Sequence, residues 1–174
     1  MSHAHLDDKM PAFGQDNTHG DKNHSGGNFL MINDDTIKLL RECNSGVKMG
    51  VISLDDVLEH VHDGNLEKRL SECKQEHERL GDETHDLLNE YHDTGKEPNP
   101  MTKGMSWMKT NVQLAMNDAD QTIADLITDG CNMGVKSLSR YLNQYKAASE
   151  KAKDIAKRLI HLEEQLVIDL RAYL

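Results

Sequence analysis

A short phrase that occurs twice is the feature that most constrains how this chain folds. Cys43-Asn44-Ser45-Gly46-Val47-Lys48 returns later, in the same order, as Cys131-Asn132-Met133-Gly134-Val135-Lys136. Each copy is followed by a second stretch of helix-forming sequence, and self-similarity of this kind indicates a tandem structural unit. Because the unit here is a helical hairpin, two copies predict an all-α four-helix bundle.

The composition favours helices and argues against several functional classes. Aromatic residues make up only 4% of the 174 residues, whereas the strong helix formers Leu, Ala, Glu, Lys and Met are common. The net charge of −10 disfavours a nucleic-acid surface, which needs clustered Lys and Arg, and also an anionic membrane. No apolar run approaches the roughly 20 residues of a membrane-spanning helix. With three cysteines and no CxxC pair, we expect a cytoplasmic protein.

The start of the chain differs in character from the rest. Histidines lie there among Gly, Asn, Asp and Ser, at His3, His5, His19 and His24. Such a segment cannot bury enough apolar surface to offset its ordering entropy. We therefore expect a disordered tail over residues 1–32 and a bundle domain over residues 33–174. Histidine-rich tracts also bind divalent metals, which gives one alternative function for the chain.

Apolar residues recur at spacings of three and four, as expected for helices that bury one face. Four stretches show this pattern, at about 33–62, 66–92, 118–146 and 149–174. The connection between the second and third stretches contains an amphipathic piece around Trp107, over about 102–116. We expect a crossover helix there, because a structureless loop of that length is uncommon.

His77 occupies a position on the apolar seam of the second helix. A buried histidine needs a hydrogen-bonding partner, and we expect Asn44, Thr84 or an acidic residue of the last helix to supply it. A remnant metal ligand is the alternative interpretation of this histidine.

Small residues also mark the seams. Gly134 lies within a predicted helix, where glycine costs about 1 kcal/mol relative to alanine. Its repeat equivalent is Gly46, so we expect the first and third helices to approach each other at these glycines. Core packing is the expected role of the cysteines, with a soft-metal site or a redox disulfide as alternatives, at Cys43, Cys73 and Cys131.

Three segments resemble known families. The first is the run Gly104-Met105-Ser106-Trp107-Met108-Lys109, and the second is the stretch from Asp129 to Tyr141 that contains the second repeat copy. Together with the two hairpins over residues 33–174, they resemble the ferritin-like superfamily and, within it, the bacterial DUF2383 family of uncharacterised proteins. The third segment, Glu76-His77-Glu78-Arg79-Leu80-Gly81, is similar to the Glu-His-Ala-Glu-Arg-Leu run of rubrerythrin.

The resemblance implies a ferritin-like bundle with a long crossover and a di-iron or di-manganese site at its centre. In that superfamily two helices each supply one Glu, and the other two each supply Glu-x-x-His. This chain keeps His77 and Glu164 at such positions. It departs from the pattern at most others, with Val47, Lys74, Val135 and Val167 where the superfamily has Glu or His. Because hard metal ions need several anionic oxygens, most of the site is missing.

We therefore expect a non-catalytic cytoplasmic bacterial bundle without a cofactor, acting as a homo-oligomer or with a protein partner, and with neither nucleic acid nor membrane. No nucleophile motif or nucleotide fingerprint suggests an enzyme. The main alternative is a carboxylate protein that holds iron or manganese, as an oxidase or iron handler, in a different register. Its candidate metal ligands are Glu42, Glu76, His77, Glu163 and Glu164.

Overall fold

Four α-helices pack as two hairpins. The computed structural model describes residues 24–98 and 119–174, and within these ranges it contains no strand. The helices are α1 His24–Leu58, α2 Gly64–Glu90, α3 Ala119–Gln144 and α4 Glu150–Leu170. A 3-10 helix, Arg171–Tyr173, follows α4. The prediction of an all-α four-helix bundle is confirmed, whereas the crossover helix predicted over 102–116 lies outside the described residues.

The first helix begins at His24, well before the predicted start near Asn33. The prediction of a tail was therefore wrong for residues 24–32, while residues 1–23 lie outside the described part of the chain. Leu30 and Met31 are 70% and 57% exposed, so this turn of α1 is not held by burial. Extending an existing helix fixes one residue for each new hydrogen bond, which costs far less than starting a helix.

The α1–α2 turn also fixes the start of α3. As predicted, Asp63 caps α2, and its carboxylate accepts the backbone N–H groups of Asn65 and Leu66, both at 2.9 Å. The carboxylate of Asp120, in the first turn of α3, accepts the backbone N–H groups of His62 at 2.8 Å and Asp63 at 2.9 Å. The second hairpin is thus hydrogen-bonded to the first at this end of the bundle.

The other end of the bundle is fixed in a similar way. In the α3–α4 turn, the N–H of Ala147 donates to Asp35 at 2.9 Å, and the N–H of Ser149 donates to the hydroxyl of Thr36 at 2.8 Å. Both acceptors belong to α1. Side chains of one hairpin therefore satisfy turn N–H groups of the other at both ends, which sets how the hairpins align.

Two apolar clusters form the core. The first apolar cluster lies towards the α1–α2 turn and includes Leu54, Val57, Leu66, Leu70, Ile123, Ile127, Leu166 and Leu170. The second apolar cluster lies towards the α3–α4 turn and includes Leu39, Leu40, Leu80, Leu88, Leu138, Ile155 and Leu159. Polar side chains that are also buried lie where these two clusters meet.

Candidate functional site

A buried ionisable pair lies between the two apolar clusters. His77 of α2 is 3% exposed and Glu163 of α4 is 8% exposed. The Nε2 atom of His77 lies 3.8 Å from Oε1 of Glu163. The prediction that an acid of the last helix would partner this histidine is confirmed.

The imidazole of His77 is oriented by its own helix. Its Nδ1 lies 2.9 Å from the backbone carbonyl oxygen of Cys73 and 3.5 Å from the sulfur of the same residue. Because a carbonyl oxygen only accepts, Nδ1 carries a proton and donates it. The other ring nitrogen, Nε2, then faces Glu163, and one further proton is shared between these two groups.

Burial and pairing act in opposite directions on this pair. Burial opposes the charged form of His77, but the contacts with Cys73 and the Glu163 carboxylate outweigh it and raise the pKa of the imidazole to about 10. Burial raises the pKa of Glu163, and the nearby imidazole only partly offsets that rise. A charged imidazole beside the carboxylate is the state that these contacts favour at neutral pH.

Two glycines make room for the pair. A Cβ atom added to Gly50 of α1 would lie 2.8 Å from Cδ2 of His77, and one added to Gly134 of α3 would overlap Oε2 of Glu163. A Cβ added to Gly46 would meet nothing within 4 Å. The prediction that Gly46 and Gly134 bring α1 and α3 together was therefore wrong, because Gly134 accommodates a large side chain of α4 instead of a helix backbone.

The cysteines surround this polar centre without adding reactivity. As predicted, Cys43, Cys73 and Cys131 are buried, and all three are free thiols. Burial raises the pKa of Cys43 to about 12 and also raises that of Cys131. Because the thiolate is the nucleophile and the metal ligand, these two protonated thiols are poorly suited to either role.

Only two of the five candidate metal ligands meet. Glu42 forms an ion pair with Lys96 at 2.8 Å, on the outer side of α1. Glu76 accepts a hydrogen bond from Arg79 at 2.8 Å. His77 and Glu163 remain as the only candidates that point into the bundle together.

Glu163, and not Glu164, is the inward carboxylate of α4. Glu164 is exposed, whereas Glu163 lies on the buried stripe that also contains Leu159 and Leu166. The register inferred from the family resemblance was therefore one residue out at this position.

The donor set does not fit a dinuclear metal centre. Cys73 approaches Nδ1 of His77 and Glu163 approaches Nε2, so these two neighbours face different ring nitrogens and cannot ligate one ion together with the ring. Across residues 24–98 and 119–174, no three His, Cys, Asp or Glu side chains converge closely enough to hold a metal ion. Iron or manganese pairs in such bundles need several carboxylates, and this centre has one.

A second polar site lies where the segment after α2 folds back along α1. We call residues 91–98 the strap. The side-chain amide of Asn44 donates to the backbone carbonyl of Lys96 at 3.1 Å, and Asn44 is only 5% exposed. Gly95 has a φ of +82°, and a Cβ there would lie 2.5 Å from the amide nitrogen of Asn44. The strap therefore needs glycine at this position for both its conformation and its close approach.

Ion pairs on both sides of Asn44 hold the strap. They join Arg41 to Asp93 at 2.5 Å, Glu42 to Lys96 at 2.8 Å and Lys48 to Glu97 at 2.6 Å. Next to them is an open groove of about 220 Å³, lined mainly by Val47, Val51, Ile52 and Pro98. The first repeat copy is thus a surface that binds an extended segment of its own chain.

The second repeat copy is exposed. Asn132 and Lys136 face solvent on α3, and Met133 is 51% exposed. Sequence reasoning missed this difference, because a repeat predicts equal environments for its copies. The available signal was the pair of residues before the cysteine, which is charged Arg41-Glu42 in the first copy and Asp129-Gly130 in the second.

No protein-family model matches this chain, and no significant match was found among curated proteins or solved structures. The resemblance to ferritin-like proteins therefore stays an expectation. In the described part of the chain, no helix combines the length and apolar character that crossing a bilayer requires.

Proposed function

We propose that this chain is a non-catalytic helical bundle that acts by binding another protein chain through the second repeat copy on α3. The observation that carries the proposal is the contrast between the copies. The motif on α1 is covered by the strap, whereas the same motif on α3 presents Asn132, Met133 and Lys136 to solvent.

The exposed side chains suit a polypeptide ligand. An amide side chain donates to backbone carbonyls, as Asn44 does to Lys96. The ammonium of Lys136 attracts acidic side chains, and Met133 offers a flexible apolar contact that adapts to different shapes.

The closed centre supports the non-catalytic part of the proposal. His77 and Glu163 are buried and face each other, and the neighbouring Cys43 and Cys131 are held in the thiol form by burial. A general acid or base must come within hydrogen-bonding reach of its substrate. We therefore assign the pair a structural role.

Site-specific photo-crosslinking in cells tests the proposed surface. Met133 is replaced by a photo-reactive phenylalanine analogue, with exposed Lys157 of α4 as the matched control position. We expect a discrete adduct from position 133 and none from position 157, with mass spectrometry identifying a partner protein or a second copy of this chain. Absence of any adduct specific to position 133 would overturn the proposal.

Metal content tests the non-catalytic part separately. Tag-free protein purified from iron- and manganese-rich cultures is expected to carry no stoichiometric metal by elemental analysis. Two bound metal ions per chain would contradict the proposal and restore the di-iron or di-manganese alternative.

A further inference from the structure

We propose that the second repeat copy binds an extended peptide segment with the order basic–x–Gly–x–acidic, supplied by a partner protein. This inference rests on the proposed function and names the ligand of that surface. It is carried by the way the first copy holds the strap.

The strap shows what each position of the motif recognises. Arg41 pairs with Asp93, Asn44 binds the carbonyl that follows Gly95, and Lys48 pairs with Glu97. The recognised pattern is acidic–x–Gly–x–acidic, in an extended segment that runs parallel to α1.

The second copy keeps two of these three recognition positions. Asn132 is equivalent to Asn44, and Lys136 is equivalent to Lys48. Residues four apart on a helix lie on the same face, about 6 Å from each other along the axis. Both side chains are exposed, so the pair can accept a carbonyl and a carboxylate with the spacing seen in the strap.

The third position has the opposite charge. Asp129 stands where the first copy has Arg41, and Gly130 stands where it has Glu42. A carboxylate at position 129 repels an acidic residue in the place of Asp93 and attracts a basic one. Since the counterpart of Glu42 is missing, a basic residue at the place of Lys96 gains no partner.

The ligand must come from another polypeptide. In this sequence the order basic–x–Gly–x–acidic occurs once, from Arg79 to Glu83 around Gly81. That stretch lies inside α2 and is not available as an extended segment. The strap itself has the acidic residue Asp93 at the first position and is already bound to α1.

Two labelled synthetic peptides test the inference on the full chain by fluorescence anisotropy at low salt. One has the sequence of residues 91–98, and the other is the same peptide with Asp93→Lys. Exposed charge pairs have small energies, so we expect the charge-reversed peptide to bind about three- to tenfold more tightly. NMR shifts of the α3 amides are expected to centre on residues 129–136.

Charge reversal in the protein supplies the matched controls. Asp129→Lys should invert the preference, so that the unmodified strap peptide binds more tightly, and Lys136→Glu should weaken both peptides. These residues are exposed, so circular dichroism should stay unchanged. Equal affinity for the two peptides, or an unaltered preference in the Asp129→Lys variant, would overturn the inference. If a crosslinked adduct still forms at position 133, the proposed function survives that failure; if neither adduct nor peptide binding occurs, both fail.

Discussion

The two copies of the repeat share almost the same sequence and have different surroundings. In the first copy Asn44 is buried beneath the strap, whereas Asn132 of the second is exposed. Gly46 faces open space, whereas Gly134 receives the carboxylate of Glu163. The same local sequence makes helix in both places, and neighbouring segments decide what each position contacts.

The two hairpins also contribute differently to the polar centre. On α1 the imidazole of His77 lies against Gly50, one turn beyond the repeat phrase. The second copy has Leu138 at the equivalent position, and this leucine belongs to the second apolar cluster. Each hairpin therefore supplies one glycine and one member of the pair, but at positions that the repeat does not relate.

Breaking the pair from one side should have the largest effect. We expect His77→Leu or Glu163→Leu alone to lower the free energy of unfolding by about 3 kcal/mol, because each leaves an unpaired buried ionisable group. The double variant should come close to the parent protein, since an apolar pair replaces both groups. Urea unfolding of the four proteins measures the coupling, and additive losses would show that the two hairpins do not communicate through this pair.

Gly95→Ala tests how strongly the strap covers the first copy. A positive φ costs alanine about 1–2 kcal/mol, and the added Cβ displaces the amide of Asn44, so we expect a loss of about 2 kcal/mol. Thr94→Ala, at an exposed neighbouring position, is the control and should change little. Urea unfolding distinguishes them, and equal stability of the two variants would mean that the close approach to Asn44 is unimportant.

The pH dependence of stability should report the pair directly. The folded-state pKa of His77 is raised to about 10, and that of Glu163 is also raised, so the folded state binds more protons in both titrations. Stability from His77 is complete below about pH 6.5 and is lost as pH rises through 10. We expect the free energy of unfolding to fall by about 1–2 kcal/mol between pH 7 and pH 10.

The double variant with leucine at positions 77 and 163 is the control for this pH dependence. The other titratable groups near the pair are Cys73 on the same helix, Cys43 on α1 and Cys131 on α3, and these remain in the variant. Its stability should therefore change less over this pH range. An equal slope in both proteins would assign the pH dependence to other groups.

Alanine at the two repeat glycines should give the smallest effects, with opposite signs. Gly46→Ala has free space and should stabilise the protein by about 0.5–1 kcal/mol through helix propensity. Gly134→Ala gains the same propensity but collides with Glu163, so we expect a net loss of about 1 kcal/mol. Thermal unfolding of the two variants measures the difference, and stabilisation by both would mean that Glu163 moves away freely.

Much of the fold follows from the sequence because helices depend on local periodicity. The repeat predicts two hairpins, and on α2 the predicted seam residues from Leu66 to Thr84 are buried. At its end Leu88 is buried instead of Leu87, because 3.6 residues per turn shifts a strict three-four pattern. The resemblance placed the inward acid at Glu164 for the same reason, since a one-residue error moves a side chain by about 100° around a helix.

The strap could not be predicted from the same signals. Its ion pairs join residues about fifty positions apart, and they form only because the chain reverses after α2. That reversal uses positive φ angles at His92 and Gly95, and periodicity carries no information about them. Likewise, the exposure of the second copy depends on the absence of charged partners before Cys131, which only a position-by-position comparison of the copies reveals.

The buried pair has a consequence for how the two hairpins slide along each other. Shifting α4 by one helical turn, about 5.4 Å, would move the carboxylate of Glu163 away from both His77 and the space at Gly134. It would then press a charge against leucines of one apolar cluster, and leucines alone would tolerate several such offsets. The pair thus penalises every longitudinal offset except one, so that the outer face of α3 is always presented at the same height relative to α1.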